Sequence, residues 1–153
     1  MKALVFAAGL GTRLRPLTDT MPKALVPIAG HDLLEYQIHK LQQAGINEII
    51  INVHHFPDMI IDYLREHDNF GCNIHISDER DALLDTGGGL LKAWSTYAQG
   101  EPILALNVDI LSAINLQDVL SASKPDELGV LVVKERKTQR YLCPAHRLLK
   151  VRL

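Results

Sequence analysis

Cysteine, aromatic residues and long apolar runs are all scarce: the 153 residues include two cysteines, one tryptophan and 5% aromatics. Cys72 and Cys143 stand apart without C-x-x-C spacing. That argues against a disulfide scaffold or a cysteine-built zinc site and fits packing residues in a reducing cytoplasm. No apolar stretch approaches the ~20 residues that cross a bilayer, so no transmembrane helix is expected. Neither sign of charge dominates, with 16 Lys and Arg against 18 Asp and Glu and a net charge of −2. A nucleic-acid surface and a polybasic membrane anchor are therefore not expected. No G-x-x-x-x-G-K-[ST] occurs, and counting from Gly9 the last glycine of a G-x-G-x-x-G is replaced by Leu14. Neither a Walker loop nor a dinucleotide fingerprint is present. Repeats and low-complexity tracts are missing as well. Met1 and Lys2 lead straight into an apolar strand, which leaves no room for a cleavable leader and makes the cytosol the expected compartment.

What the chain does have is alternation. Lys2 to Ala7 reads as a buried strand, and Leu34, Ile38 and Leu41 share one face of a helix over Leu33 to Leu41 that Ala44-Gly45 stops. The β-branched run Glu48 to Val53 predicts a strand covered on both faces. Pro57 opens a helix over Asp58 to His67, and Asn73 to Ser77 reads as a strand. A helix over Gly89 to Tyr97, a strand over Pro102 to Leu106, a helix over Leu116 to Ala122 and a strand over Leu128 to Val133 complete the series. Such an order predicts an α/β fold, a Rossmann-like three-layer αβα arrangement around a mostly parallel sheet, read as one domain over 1–153. Ligands of such sheets bind beyond the carboxyl ends of the strands.

At that edge the first strand runs into Ala8-Gly9-Leu10-Gly11-Thr12-Arg13-Leu14-Arg15-Pro16, followed by Pro22-Lys23. Two glycines at a strand end let backbone N–H groups approach a polyanion, and Arg13, Arg15 and Lys23 bring positive charge to the same place. A second glycine cluster, Leu83-Leu84-Asp85-Thr86-Gly87-Gly88-Gly89, reads either as a flexible turn or as bare backbone against which a flat base or ribose lies just before a helix. The strand Ile103 to Asn107 runs on to Asp109, a turn or cap residue or a cation ligand. His54 and His55 are adjacent on extended backbone and so face apart, which suits loop or packing roles better than a metal pair. Asp78-Glu79-Arg80-Asp81 reads as a solvated charged turn, and Arg136 to Arg140 as a basic hairpin surface.

The G-x-G-T-R run with its following P-K resembles the signature of the sugar-phosphate nucleotidyltransferases. Leu84 to Gly88 is similar to that family's L-x-T-[AG]-G segment, and Asn107-Val108-Asp109 to its strand end carrying a metal-binding Asp. The closest flavour is that of N-acetylmuramate-1-phosphate uridylyltransferases and mannose- or heptose-1-phosphate guanylyltransferases. The resemblance implies transfer of a nucleoside monophosphate from a triphosphate, UTP or GTP, to a sugar 1-phosphate with release of pyrophosphate. It implies catalytic roles for Arg13, Lys23 and Asp109, with Arg13 on the β- and γ-phosphates, Lys23 on the α-phosphate and Asp109 on Mg²⁺. Ala8, Gly9, Gly11 and Thr12 would meet the nucleotide through backbone, and Thr86, Gly87 and Gly88 would line the base and ribose pocket. Val108 stands where many relatives have glycine.

The family's catalytic domain is longer, and the resemblance implies that an acceptor-binding part with a second Asp, a Glu and a Lys is not in this chain. Two readings follow. One is an enzyme, with an unusual acceptor site or completed by further strands, a partner chain or a second copy at the open sheet edge; the other is a nucleotide-binding remnant, inactive in transfer, with an interaction or regulatory role.

Overall fold

The computed structural model describes residues 1–124, 129–133 and 149–150. The chain divides into two compact units, Met1–Leu111 and Ser112–Leu153.

In the first unit Lys2–Phe6 forms β1, with Ala3, Leu4 and Val5 fully buried. Short 3-10 turns follow at Thr12–Leu14, Leu17–Asp19 and Lys23–Leu25. Pro27–Ile28 (β2) and His31–Asp32 (β3) pair as a small antiparallel ribbon that leads into Leu33–Gln43 (α1). Next come Glu48–Val53 (β4), Pro57–Glu66 (α2) and Asn73–Asp78 (β5), then Asp85–Ala93 (α3) and Ile103–Asn107 (β6). The sheet order is β5-β4-β1-β6, and every neighbouring pair is parallel. This is the Rossmann-like architecture that the alternation predicts.

Strand order explains where a ligand can enter. The chain moves outward from β1 to β4 and β5, then crosses back to lay β6 on the other side of β1. Right-handed crossovers put α1 and α2 on one face and α3 on the other. The strand order reverses between β1 and β6, and sheets of this kind take ligands in the crevice at such a switch point, beyond the carboxyl ends of the strands. Phe6 and Asn107 are register partners at its floor. β4 is buried from Ile49 to Val53, as its β-branched run predicts, whereas every residue of β6 is exposed or half-buried. Among the described residues β6 borders the sheet.

One element begins elsewhere than expected. α3 starts at Asp85 rather than at Gly89, so Thr86, Gly87 and Gly88 lie in its first turns instead of preceding it, and a π-helical turn, Trp94–Ala98, continues it. The start is set from outside the helix: Leu84 N–H donates to Glu79 Oε2 at 3.2 Å. That satisfies a donor that the helix's own ladder leaves open.

The second unit holds Leu116–Ala122 (α4), opened by Asn115, whose side chain accepts from Gln117 N–H at 3.0 Å. Its helix matches the expected range. Val132–Val133 (β7) pairs in parallel with Leu149–Lys150 (β8). Of the strand expected over Leu128 to Val133, only these last two residues are strand; Leu128 and the basic stretch Arg136 to Arg140 lie outside the described residues.

Candidate nucleotide site

Gly11 closes the loop after β1. Its φ of +67° is one that L side chains rarely adopt, and a Cβ there would stand 2.7 Å from Thr18 Cγ2. Its carbonyl accepts from Leu14 N–H and from the Thr18 hydroxyl, both at 2.8 Å. The Thr18 carbonyl in turn meets His55 Nε2 at 3.3 Å. Thr12 and Arg13 therefore project from an anchored turn, and both are exposed.

Lys23 returns under this loop. Its Nζ lies 3.5 Å from where a Cβ on Gly9 would be, an ordinary contact distance that sets the ammonium beside the Gly9 backbone. The same Nζ meets Asp109 Oδ2 at 3.0 Å, with 16% of the lysine side chain and 33% of the aspartate side chain accessible. Two residues 86 positions apart in sequence are joined at the crevice between β1 and β6. Asp109 is held from behind: Val108 N–H donates to Phe6 O at 3.2 Å, and the buried Gln37 on α1 donates to the carbonyls of Val108 (3.4 Å) and Ile110 (3.0 Å).

The second glycine cluster is fastened to the first through Asn52 and Glu79. Asn52 Oδ1 accepts from Ala7 N–H at 2.7 Å and Ala8 N–H at 3.3 Å. The Ala8 amide is thus already spent inside the protein. Asn52 Nδ2 donates to Glu79 Oε1 at 2.8 Å. A Cβ on Gly89 would stand 2.9 Å from that carboxylate oxygen and 3.0 Å from Asn52 Nδ2, and one on Gly88 2.9 Å from Leu84 Cβ. A Cβ on Gly87 would meet nothing within 4 Å, and Gly87 and Thr86 are both exposed at the helix start.

The charged turn after β5 divides sharply. Asp78 and Arg80 form an ion pair at 2.8 Å, and Arg80 reaches Asp58 at 3.1 Å, all partly or well exposed. Burial pushes the Asp78 carboxyl up, but hydrogen bonds from the Arg80 backbone and guanidinium outweigh it and hold the group below the usual carboxylate range. Glu79 between them is only 2% exposed, contrary to the reading of a solvated turn. His54 and His55 each meet a backbone carbonyl, of Glu79 at 2.7 Å and of Thr18, in keeping with loop roles. Among the described residues no group of three or more His, Cys, Asp or Glu could hold a metal ion. No helix among them is long and apolar enough to cross a membrane.

Asn52, Glu79, Gln37 and Thr18 were not singled out from the sequence. Two of them left a trace: Asn52 follows the run Ile49-Ile50-Ile51 in the buried stretch of β4, and Gln37 lies at helical spacing from Leu34 and Leu41 on the buried stripe. A buried polar side chain demands partners. Glu79 left none, since a charged turn is normally solvated.

Comparison with known proteins follows the same lines. The family described as Nucleotidyl transferase matches residues 2–141. The chain is 36% identical over 143 residues to N-acetylmuramate alpha-1-phosphate uridylyltransferase of Caulobacter vibrioides, an alignment covering 90% of this chain and 59% of that protein. It is 35% identical over 150 residues to mannose-1-phosphate guanyltransferase of Gibberella zeae, covering 95% of this chain and 41% of that protein. Among solved structures, HddC from Yersinia pseudotuberculosis complexed with GMP-PN is 25% identical with a TM-score of 0.72, over 81% of this chain and 54% of that one. The chain spans 41% to 59% of the length of these relatives.

Proposed function

The chain belongs to the nucleotidyl transferase family, and from that premise we propose that it binds UTP or GTP at the crevice between β1 and β6 for transfer of the nucleoside monophosphate to a sugar 1-phosphate. Pyrophosphate is the leaving group. The observation that carries this reading is the Lys23–Asp109 pair at the foot of the Gly9 to Arg13 loop. An ammonium ion and a carboxylate, each partly accessible, meet where a polyphosphate and its counter-ion would enter.

In-line displacement at the α-phosphorus spreads charge over non-bridging and leaving oxygens, so catalysis is positioning and electrostatic stabilisation. Lys23 neutralises Asp109 in the free protein and is poised to turn its ammonium toward an arriving α-phosphate. Arg13, exposed on the turn that Thr18 anchors, meets the β- and γ-phosphates. Gly9, Gly11 and Thr12 offer backbone to the phosphates, Ala8 offers its carbonyl side, and Thr86, Gly87 and Gly88 form the floor for base and ribose. The donor set fits Mg²⁺ carried on the triphosphate, with Asp109 as the protein carboxylate and phosphate oxygens completing the shell. When bound, that ion would neutralise charge on the phosphates.

The sugar 1-phosphate needs groups of its own, which we assign to further strands or a second chain against the β6 edge. Soluble triphosphate and sugar phosphate make this a cytosolic reaction. The test is a thermal-shift panel of UTP, GTP, dTTP, CTP and ATP with Mg²⁺, followed by pyrophosphate release with candidate sugar 1-phosphates. The expected result is selective stabilisation by UTP or GTP with little or no release by the 153-residue chain alone. Lys23→Ala in a release-competent, completed enzyme should lower turnover more than nucleotide affinity. A chain that none of the five nucleotides stabilises would overturn the reading.

A further inference from the structure

We propose that Asn52 and Glu79 are a buried positioning pair that couples the two glycine clusters, so that the backbone meeting the phosphates and the backbone meeting the base move as one body. The proposal rests on the nucleotide-binding reading above and deepens it. Neither residue reaches solvent, each being 2% exposed, so neither touches a ligand directly.

The connection is continuous. From the first cluster, the amides of Ala7 and Ala8 donate to Asn52 Oδ1; Asn52 Nδ2 donates to Glu79 Oε1; and Glu79 Oε2 accepts from Leu84 N–H, one residue before α3. The backbone of Glu79 is pinned on both sides. Its N–H donates to Val53 O at 2.8 Å, and its carbonyl accepts from Ala82 N–H at 3.1 Å and meets His54 Nδ1 at 2.7 Å. Gly89 presses on the junction itself, where its hydrogen replaces a Cβ that would collide with both side chains. A buried network in which every polar atom is matched fixes one arrangement, and a single mismatch opens it.

The chemistry of the pair makes a strict test. Glu79 faces two donors with two acceptor oxygens, and an amide in its place brings one acceptor and one donor. Glu79→Gln must therefore set a donor against either Asn52 Nδ2 or Leu84 N–H. Asn52→Asp keeps the acceptor for Ala7 and Ala8 but sets an oxygen against Glu79 Oε1. Combined, the two changes restore the pattern with polarity reversed: the introduced carboxylate accepts the loop amides, the introduced amide nitrogen donates to its other oxygen, and the amide oxygen accepts from Leu84 N–H. Net charge and size are unchanged.

UTP and GTP affinity with Mg²⁺, measured by calorimetry on the full chain, and amide exchange at Ala8 and Leu84 without ligand are the two readouts. Each single variant is expected to weaken binding about tenfold or more and to speed exchange at both amides, including the one remote from the substituted side chain; the double variant is expected to recover both. Tight binding by Glu79→Gln, or a double variant no better than the worse single one, overturns the coupling. If a single variant does not fold, the folded double variant alone decides, by parent-like exchange and affinity or their loss. A parent that binds neither nucleotide while the exchange cycle still shows recovery sinks the nucleotide reading, and with it the purpose of the pair, but not the connection between the clusters.

Discussion

The two glycine clusters look alike in sequence and are glycine-rich for different physical reasons. In the loop after β1 the requirement is torsional: Gly11 holds a φ of +67° that turns the chain back over Lys23. At the start of α3 no glycine has a positive φ, and the requirement is proximity, because Gly89 lies against Asn52 and Glu79. A third case sits among them. Gly87 has no left-handed φ and a Cβ on it would meet nothing, so a molecule arriving from outside would give its bare backbone a use.

Substitutions separate the three cases. Gly11→Val should have the largest effect, since it adds left-handed strain of about 1–2 kcal/mol to a collision with Thr18. Nucleotide binding should vanish while far-ultraviolet circular dichroism stays near that of the parent, and unchanged affinity would remove the loop from the site. Gly89→Ala should come next, costing about 1–3 kcal/mol in urea unfolding by prising apart a buried hydrogen bond, although alanine is the better helix former. A stability gain there would show that the proximity argument is mistaken.

Gly87→Ala should sharpen the contrast most, because stability and binding are expected to part company. An alanine in an open helical position should stabilise the fold by about 0.5–1 kcal/mol, yet it puts a methyl group where base or ribose would rest. Greater stability with weaker UTP or GTP binding is the expected pair of results. If affinity holds, the base pocket does not lie over Gly87.

The smallest effect belongs to the rim. Asp78 has its carboxyl pKa lowered in the folded state, so its contribution to stability is present above the ordinary aspartate range and is lost as pH falls through the folded value. Arg80→Ala should therefore cost a small amount of stability at pH 7, and its difference from the parent should shrink below about pH 4 as Asp78 becomes protonated. An equal loss at both pH values would mean that Arg80 acts by packing rather than by charge.

Legibility in the sequence followed the range of the interactions. β1, α1, β4 and α4 could be read because periodicity and β-branched runs are local, and the glycine loop after β1 because its residues are consecutive. The Lys23–Asp109 pair was legible only as two separate candidates, since strand order decides that β6 lands beside β1. The start of α3 was misjudged for a related reason. Glycine argues against a helix locally, but a carboxylate five residues before Leu84 in sequence captures the amide that begins it, and that carboxylate is itself held by Asn52, 27 residues away. Pairings of this kind leave no local period to detect.

The register Lys2 with Ile103 also has a temporal meaning. The glycine loop and Lys23 emerge early in synthesis, but their carboxylate partner follows a strand that is made far later and must close a long loop before it can dock. An early segment can hold the lysine and the glycines without forming the crevice. A ligand that needs both walls binds only chains in which β6 has reached β1, and it raises their share of the population by mass action. Nucleotide binding would thus report the moment at which the sheet closes.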